Sequence, residues 1–278
     1  MTASVSADSK PPSQYEPTRE RSANSALFAC CVIAAALVLA PASVHSAEAE
    51  LGIHLSQPLG ADGDSQEIYA EVSDSLFGIN TTLRAQQKFR FDDQDRSLSL
   101  SGGRGLTERW ALGADISVGL QQALYPNWSA GIYPTFAPGR GWVLGLGYRH
   151  SVYPDLQVDM LLPGIEYYFA DYRLAYTLFV SRLSTDPTLG FSHAIKLDHY
   201  YDERSRIGIG ASLGAERETS PEVAETLVTD IVGVNLDGRH WWNERWGSTW
   251  MLGTQYRSSD TVDATHLSAQ IGLRRQFW

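Results

Sequence analysis

The sequence has little cysteine, no long hydrophobic run and no excess of positive charge, and each absence excludes a class of protein. Its 278 residues include only two cysteines, too few for a disulfide scaffold or a cysteine-based zinc site. Lys and Arg number 22 against 32 Asp and Glu, a net charge of −10. This argues against nucleic-acid binding, which requires clustered cations. The longest apolar run, residues 26–40, is shorter than the roughly 20 residues of a membrane-spanning helix. A soluble β-rich domain and a transmembrane β-barrel remain.

The apolar run has the features of a secretory signal peptide, because arginines precede it and small residues follow it. Residues 47–49 (Ala-Glu-Ala) fit the small-x-small cleavage pattern, and residues 44–46 (Val-His-Ser) are a second option. The sequence therefore predicts a signal peptide with a long polar leader over residues 1–49 and export to the periplasm. Residues 50–278 would then form a mature domain without cysteine.

Beyond residue 49, apolar and polar residues alternate in segments that are separated by Gly, Asp, Asn, Pro and Arg. This two-residue period is typical of β-strands. From Trp110 to Leu120, for example, every even position is apolar, whereas the odd positions from Gly113 to Gln121 are Gly, Asp, Ser or Gln. A soluble sandwich would show the same period. The many glycines and full charges on the polar faces instead favour the wet interior of a barrel.

Aromatic residues cluster at the ends of these segments, where the rings of a membrane barrel meet lipid headgroups. We expect this aromatic girdle to comprise Trp110, Trp142, Tyr167, Tyr168, Tyr200, Tyr201, Trp241, Trp242 and Trp246. With the alternation, the girdle predicts an all-β, antiparallel up-and-down transmembrane β-barrel. The location expected for it is the outer membrane of a Gram-negative cell, after export.

Fourteen strands are predicted, an even number as in single-chain bacterial barrels. Their expected ranges are 50–57, 66–76, 79–91, 96–103, 109–121, 128–137, 141–151, 155–169, 171–183, 190–201, 204–214, 226–240, 246–257 and 263–277. The weakest step is the pairing of the short first strand with the last, and without it the count would fall to twelve. We also expect a β-bulge at Pro163-Gly164, because the alternation changes phase there. The residues expected to face outward are Val158, Met160 and Leu162 before it and Ile165, Tyr167 and Phe169 after it.

Alternation assigns many charged residues to the lumen of this barrel. The expected inward cations are Arg84, Lys88, Arg90, Arg149, Arg173, Lys196, Arg206, Arg239, Arg257 and Arg274. The expected inward acids are Glu71, Asp115, Asp159, Glu166, Asp198 and Asp237. These ten cations and six acids predict a mixed lumen with a cationic bias. Either the charges pair and fill the interior, or they line a narrow water-filled pore for anionic or sugar-like solutes.

A lipid-modifying enzyme is a weaker alternative. His193 is the histidine nearest the outer rim, with Asp186 and Ser192 close to it in sequence, but spacing alone does not establish catalytic geometry. His54 and His266 are expected to face inward on the two closing strands, where they would form a hydrogen bond rather than a metal site. No nucleotide loop or metal-spaced motif occurs, so we expect no cofactor, no metal and no catalytic set.

Several strand-and-turn motifs together resemble the YaiO family of outer-membrane β-barrels. They occupy residues 142–150 (WVLGLGYRH), 171–177 (DYRLAYT), 200–206 (YYDERSR) and 238–243 (GRHWWN), and the resemblance extends over residues 50–278. It implies an outer-membrane location but no established activity or catalytic residues. The function expected from the sequence is therefore a narrow pore or an accessory role in envelope or exopolysaccharide transport.

The last strand is similar to the signal that the barrel-assembly machinery reads. Gln270, Gly272 and Phe277 have the expected polar, glycine and aromatic characters, whereas Arg275 stands where an apolar residue is usual. The expected partners are this machinery during insertion and outer-membrane lipids, including lipopolysaccharide, around a monomeric barrel.

Overall fold

The structure, a computed structural model, describes residues 47–59, 64–90, 93–121, 124–219, 226–259 and 263–277. Residues 1–46 of the predicted signal peptide lie outside the described residues. The strands are β1 (Glu48–Leu59), β2 (Ser65–Leu76), β3 (Ile79–Arg90), β4 (Asp93–Gly105), β5 (Trp110–Gly119), β6 (Trp128–Gly139), β7 (Trp142–Val152), β8 (Gln157–Phe169), β9 (Tyr172–Leu183), β10 (Gly190–Tyr200), β11 (Arg206–Thr219), β12 (Thr226–Trp241), β13 (Trp246–Ser258) and β14 (Asp263–Gln276). No helix among the described residues is long and apolar enough to cross a membrane.

All fourteen strands form one closed antiparallel barrel in which each strand pairs with its sequence neighbours. The prediction of fourteen strands is confirmed, and the alternative of twelve is wrong. The closing pair, β1 and β14, is in continuous register from Glu48 opposite Gln276 to Leu59 opposite Thr265. Closure leaves no strand edge unpaired, as a lipid environment requires.

The two-residue turns after β2, β6 and β8 lie at one end of the barrel, and the longest connections, after β5, β9 and β11, lie at the other. Tight turns place Phe77, Arg140 and Ala170 at positive φ (54°, 55° and 47°). In outer-membrane barrels the short turns are periplasmic, so we call this end the periplasmic end and the opposite one the outer end.

The side chains alternate between the two faces of the wall. Large apolar residues such as Leu98, Ile116 and Leu146 are exposed on the outer face, whereas the few fully buried groups include Asp95 and Asp198 inside the barrel. This arrangement is the reverse of a soluble domain and suits a wall that contacts lipid.

The predicted bulge at Pro163-Gly164 is wrong. Strand β8 keeps one register with β7 from Tyr167 opposite Trp142 to Gln157 opposite Val152. The missing N–H of Pro163 is accommodated without a shift, and the register irregularity lies in β6, between Phe136 and Gly139. Because β8 does not change phase, its residues before the proline lie on the faces opposite to those predicted.

Candidate functional site: the lumen

Register places fourteen of the fifteen charged site residues on the inner face. These are Arg84, Lys88, Arg90, Asp115, Arg149, Glu166, Arg173, Lys196, Asp198, Arg206, Asp237, Arg239, Arg257 and Arg274. Asp159 is the exception, because it follows the unshifted register of β8. It lies on the outer face opposite Arg182, where Tyr148 Oη donates to its carboxylate at 2.5 Å and His150 Nδ1 lies 2.8 Å away.

Five further acids lie on the inner face and were missed by the sequence reasoning: Glu48, Glu50, Glu67, Asp93 and Asp95. Alternation within their own strands could have identified Glu50 and Glu67, which have the parity of His54 and Glu71. With these additions and without Asp159, the ten inner cations face ten acids among the described side chains named above. The predicted cationic bias is therefore wrong, and the lumen is close to charge balance.

A chain of ion pairs, the periplasmic ion network, covers the inner wall of β8–β12 near the periplasmic end. It consists of Glu166, Arg173, Lys196, Asp198, Arg206 and Asp237. Asp198, whose side chain is 0 % exposed, is its centre, with Arg206 at 2.6 Å, Arg173 at 2.8 Å and Lys196 at 3.7 Å. Lys196 also reaches Asp237 on β12, 2.7 Å away. Long paired side chains therefore fill the space beside this part of the wall.

A second polar group, the seam cluster, joins β1, β2, β13 and β14 where the barrel closes. Glu50, 8 % exposed, accepts hydrogen bonds from Tyr69 Oη at 2.6 Å and from Thr249 Oγ1 at 2.5 Å. The guanidinium of Arg274 lies 3.0 Å from the same carboxylate, and Gln270 Nε2 donates to Tyr69 Oη at 2.9 Å. The buried charge thus has partners on each neighbouring strand.

The three residues of the predicted assembly signal do not share one environment in the folded barrel. Gln270 and Gly272 face the lumen, and Gln270 belongs to the seam cluster. A side chain at Gly272 would overlap Glu50 and Thr249, so glycine is required there by close packing in the folded barrel. Phe277 instead lies under the Arg275 guanidinium, 5.0 Å from the ring centroid.

Six of the nine predicted girdle residues are on the outer face or in an exposed turn: Trp110, Trp142, Tyr167, Tyr201, Trp242 and Trp246. Tyr168, Tyr200 and Trp241 instead point inward, which corrects the prediction. The physical reason is that successive side chains of a strand point to opposite faces. Each of the aromatic pairs at 167–168, 200–201 and 241–242 therefore sends one ring into the barrel.

The inward Trp241 partly covers the periplasmic opening. The Arg204 guanidinium, from the turn between β10 and β11, lies 3.5 Å from the centroid of the Trp241 ring and 3.6 Å from Glu48 on β1. Arg274 lies 3.3 Å from the same carboxylate. The opening is therefore occupied on the side formed by β10–β14 and β1.

The wall of β4–β7 has a different character, and we call it the small-residue wall. Apart from Asp93, Asp95, Asp115, Tyr133, Val143 and Arg149, its inward residues are small: Ser97, Ser99, Ser101, Gly103, Gly105, Ala111, Gly113, Ser117, Gly119, Ser129, Gly131, Thr135, Gly145, Gly147 and Ser151. A cavity of about 430 Å³ lies against it. Open space in the lumen therefore lies directly against this wall.

The described residues between β5 and β6, 120–121 and 124–127, bend over the outer end of this cavity. The buried Asp95 carboxylate anchors them by accepting hydrogen bonds from the backbone N–H groups of Gln121, Leu124 and Tyr125, at 2.8–3.1 Å. Tyr125 Oη then donates to Glu67 on β2 at 3.0 Å. Burial, with the nearby Glu67 carboxylate, raises the pKa of the Tyr125 hydroxyl, so it stays a protonated donor.

The structure does not assemble the enzyme candidates. Ser192 points into the lumen and His193 to the outer face, because they are consecutive in β10, and His193 Nδ1 lies 2.8 Å from Tyr176 Oη.

His54 lies opposite Gln270 and His266 opposite Pro58, so the two seam histidines do not pair across the closure. They share a second cavity, of about 280 Å³. Within the described ranges, no group of three or more His, Cys, Asp or Glu residues could hold a metal ion.

Comparison with known proteins agrees with this architecture. A family model described as the YaiO membrane beta barrel domain matches residues 54–219. Among solved structures, the chain is similar to the CymD monoaromatic hydrocarbon channel (TM-score 0.57, 9 % identity, 84 % of this chain and 88 % of that one). It is also similar to the Pseudomonas putida toluene transporter TodX (0.53, 11 %, 86 % and 90 %) and to a bacterial polysaccharide outer membrane secretin (0.52, 13 %, 84 % and 98 %). At these identities the likeness shows the fold alone. No curated protein matches the sequence.

Proposed function

The chain belongs to the YaiO membrane beta barrel family, and we propose that it forms a narrow outer-membrane channel for small polar solutes. The observation that carries this proposal is the asymmetry of the lumen. Near the periplasmic end, ion pairs and aromatic rings occupy the side formed by β8–β14 and β1, and the cavity that remains on that side has about 280 Å³. The small-residue wall leaves a larger space, of about 430 Å³, along β4–β7. Solutes would pass along this wall, between the Tyr125 connection at the outer end and the periplasmic side.

The near balance of lumen charges indicates weak ion selectivity. Arg84 is held 3.1 Å from Glu67, and Arg149 is held 2.8 Å from Asp115, so these cations are compensated close to the open path. Because each of these charges has a counter-charge beside it, the electrostatic potential along the path favours neither anions nor cations strongly. This favours neutral polar solutes over the anionic ones that the sequence suggested.

The test is single-channel conductance of the refolded protein in planar bilayers, with a variant that blocks the open path. Ser99 lies in the middle of the small-residue wall and lines the cavity. We expect Ser99→Trp to reduce the unit conductance several-fold, because the indole would occupy the cavity.

Leu98→Trp is the matched control. Leu98 is the neighbouring residue of β4 and is exposed on the outer face, at 41 %, so an indole there would contact lipid and leave the conductance unchanged. Equal conductance of the wild type and Ser99→Trp would show that ions do not follow this wall. A silent wild type that is demonstrably folded would favour the filled structural barrel instead.

An accessory role in envelope or exopolysaccharide transport stays a prediction, and so does the absence of catalysis. Ser192 and His193 face away from each other, which argues against hydrolysis by this pair. Lipase and acyl-transfer assays on phospholipid and lipopolysaccharide would test the enzyme alternative directly.

We further infer that the exported chain is cleaved after residue 46 rather than after residue 49. Glu48 pairs with Gln276 in β1 and contacts both Arg204 and Arg274, and the carbonyl of Ala47 accepts a hydrogen bond from Phe277 N at 2.7 Å. Cleavage after residue 49 would remove all these contacts. We expect amino-terminal sequencing of the mature protein to start at Ala47, whereas a start at Glu50 would contradict the inference.

A further inference from the structure

The cavity beside the small-residue wall has a lining that indicates a class of ligand. We propose that it is a binding subsite for one unit of a neutral saccharide. This proposal rests on the channel function and names the class of solute. The volume of the cavity, about 430 Å³, lies within the roughly 300–1,000 Å³ range of small-molecule sites.

The first observation is a band of hydroxyl groups across four strands. Ser99, Ser117, Ser129 and Ser151 are directly opposite one another in consecutive strands, and all four line the cavity. Such opposed residues have Cα atoms about 4.5–5.5 Å apart, a spacing that hydroxyl groups on alternate ring carbons of a sugar can match. Each serine hydroxyl can both donate and accept, as can each hydroxyl of a sugar. The hydroxyls of Ser117 and Ser129 bond to each other at 2.7 Å, and Ser129 is only 2 % exposed. The half-buried Ser99 and Ser151, at the two ends of the band, therefore present the hydroxyls that a ligand can contact.

The second observation is the charge of the lining. Asp115 and Arg149 are the only charged groups among the described residues around the cavity, and they form an ion pair of 2.8 Å across the glycine at position 131. Arg149 Nε also donates to Tyr133 Oη at 3.0 Å. The guanidinium and the carboxylate retain further donors and lone pairs for hydroxyl groups, while their charges cancel. A charged solute would lose hydration without gaining an unpaired partner.

The third observation is the aromatic cover at the outer side. Tyr125 and Tyr153 line the same cavity, and Tyr125 is held in place by its bond to Glu67. A tyrosine ring offers an apolar face beside a polar edge, which suits the mixed C–H and hydroxyl surface of a pyranose. The cavity is therefore surrounded by the band of serine hydroxyls, by the Asp115–Arg149 ion pair and by the two tyrosine rings.

Isothermal titration calorimetry of the refolded protein in detergent tests this subsite without requiring conductance. The probes are maltose and its singly charged counterpart maltobionate. We expect maltose to bind more tightly than maltobionate. The double variant S99A/S151A should bind maltose roughly tenfold more weakly, since it removes two hydroxyl partners.

The matched control is S212A/S268A, which removes two inward serines that line the second cavity, on the opposite wall. It should leave maltose binding unchanged, and heat-modifiable mobility in electrophoresis establishes that each variant is folded. An additional variant, Asp115→Asn, leaves Arg149 without its counter-charge and should shift the preference toward maltobionate.

The outcomes separate the two proposals. A conducting channel that gives no heat with maltose would overturn the saccharide subsite while leaving the channel intact. Maltose binding by a barrel that does not conduct would support the subsite and reject the channel. Tighter binding of maltobionate by the wild type, or equal losses in S99A/S151A and S212A/S268A, would overturn the proposal for this cavity.

Discussion

Replacing Asp198 by alanine is expected to destabilise the barrel by about 3–5 kcal/mol, the typical result of removing one partner of a buried ion pair. Asp198 has no exposed surface, and its carboxylate is shared by Arg173, Arg206 and Lys196. After the substitution, these three cations would have only Glu166 and Asp237 as neighbouring acids in the periplasmic ion network. Urea unfolding in detergent micelles, followed by tryptophan fluorescence, measures the change.

Further variants can show whether the loss of stability in Asp198→Ala comes from the lost charge or from the lost side-chain volume. Asp198→Asn keeps the shape but removes the charge, so we expect it to lose most of the same stability. Adding Arg206→Ala to Asp198→Ala should recover part of the loss, because it removes one uncompensated cation. Asp171 in the exposed turn between β8 and β9 is the control, and its alanine variant should remain within about 0.5 kcal/mol of the wild type. A neutral effect of Asp198→Ala would show that the network contributes nothing to stability.

Replacing Gly52 by alanine is expected to weaken closure of the barrel at the seam. A Cβ atom at this position would overlap the ring of Tyr69, which is only 2 % exposed and cannot move without losing its hydrogen bond to Glu50. Overpacking together with the loss of a buried hydrogen bond gives an expected cost of about 2–5 kcal/mol. The folded fraction after refolding, read from heat-modifiable mobility, should fall accordingly.

The control for this substitution is Gly105→Ala at the end of β4, because a Cβ atom there meets nothing within 4 Å. A double variant, Gly52→Ala with Tyr69→Ser, creates space for the new methyl group and should cost less than the sum of the two single changes. Strict additivity would mean that the Tyr69 ring does not limit the residue at position 52.

The seam cluster also suggests why the last strand has its polar and glycine positions. Gln270 and Gly272 resemble an assembly signal in the sequence, and in the folded barrel the same residues contact or make room for Tyr69, Glu50 and Thr249. A variant at either position would therefore affect final stability as well as any recognition during insertion. Measurements of insertion rate and of equilibrium stability are needed together to separate the two effects.

The strands and most of the lumen could be predicted from the amino-acid sequence because a strand has a side-chain period of two. That rule identified all fourteen strands and the inward positions of residues such as Arg84, Arg173 and Asp237. It failed in β8, where Val158, Met160 and Leu162 are apolar but face the lumen. Their hydrophobicity suggested lipid contact, and only the register with the neighbouring strands shows otherwise.

The predicted aromatic girdle was also only partly correct. Composition identifies aromatic residues at strand ends, but it does not say which ring of an adjacent pair points inward. Trp241 was assigned to the membrane interface with Trp242, yet it lies under Arg204 inside the periplasmic opening. Strict application of the alternation to each pair would have found this, since one of two successive residues in a strand must face the lumen.

Local patterning thus established the closed barrel, its strand number and most of its inward charges, because these depend on each strand alone and on the requirement that no edge remain open in lipid. The shape of the interior depends on contacts between distant residues. Tyr125 meets Glu67, 58 positions earlier in the chain, and Thr249 meets Glu50, 199 positions away. Pairing of charges and the location of empty space emerge when the wall closes, since both are set by which side chains meet across it. For that reason the folded barrel has nearly balanced lumen charges in place of the expected cationic bias, and a cavity against the small-residue wall.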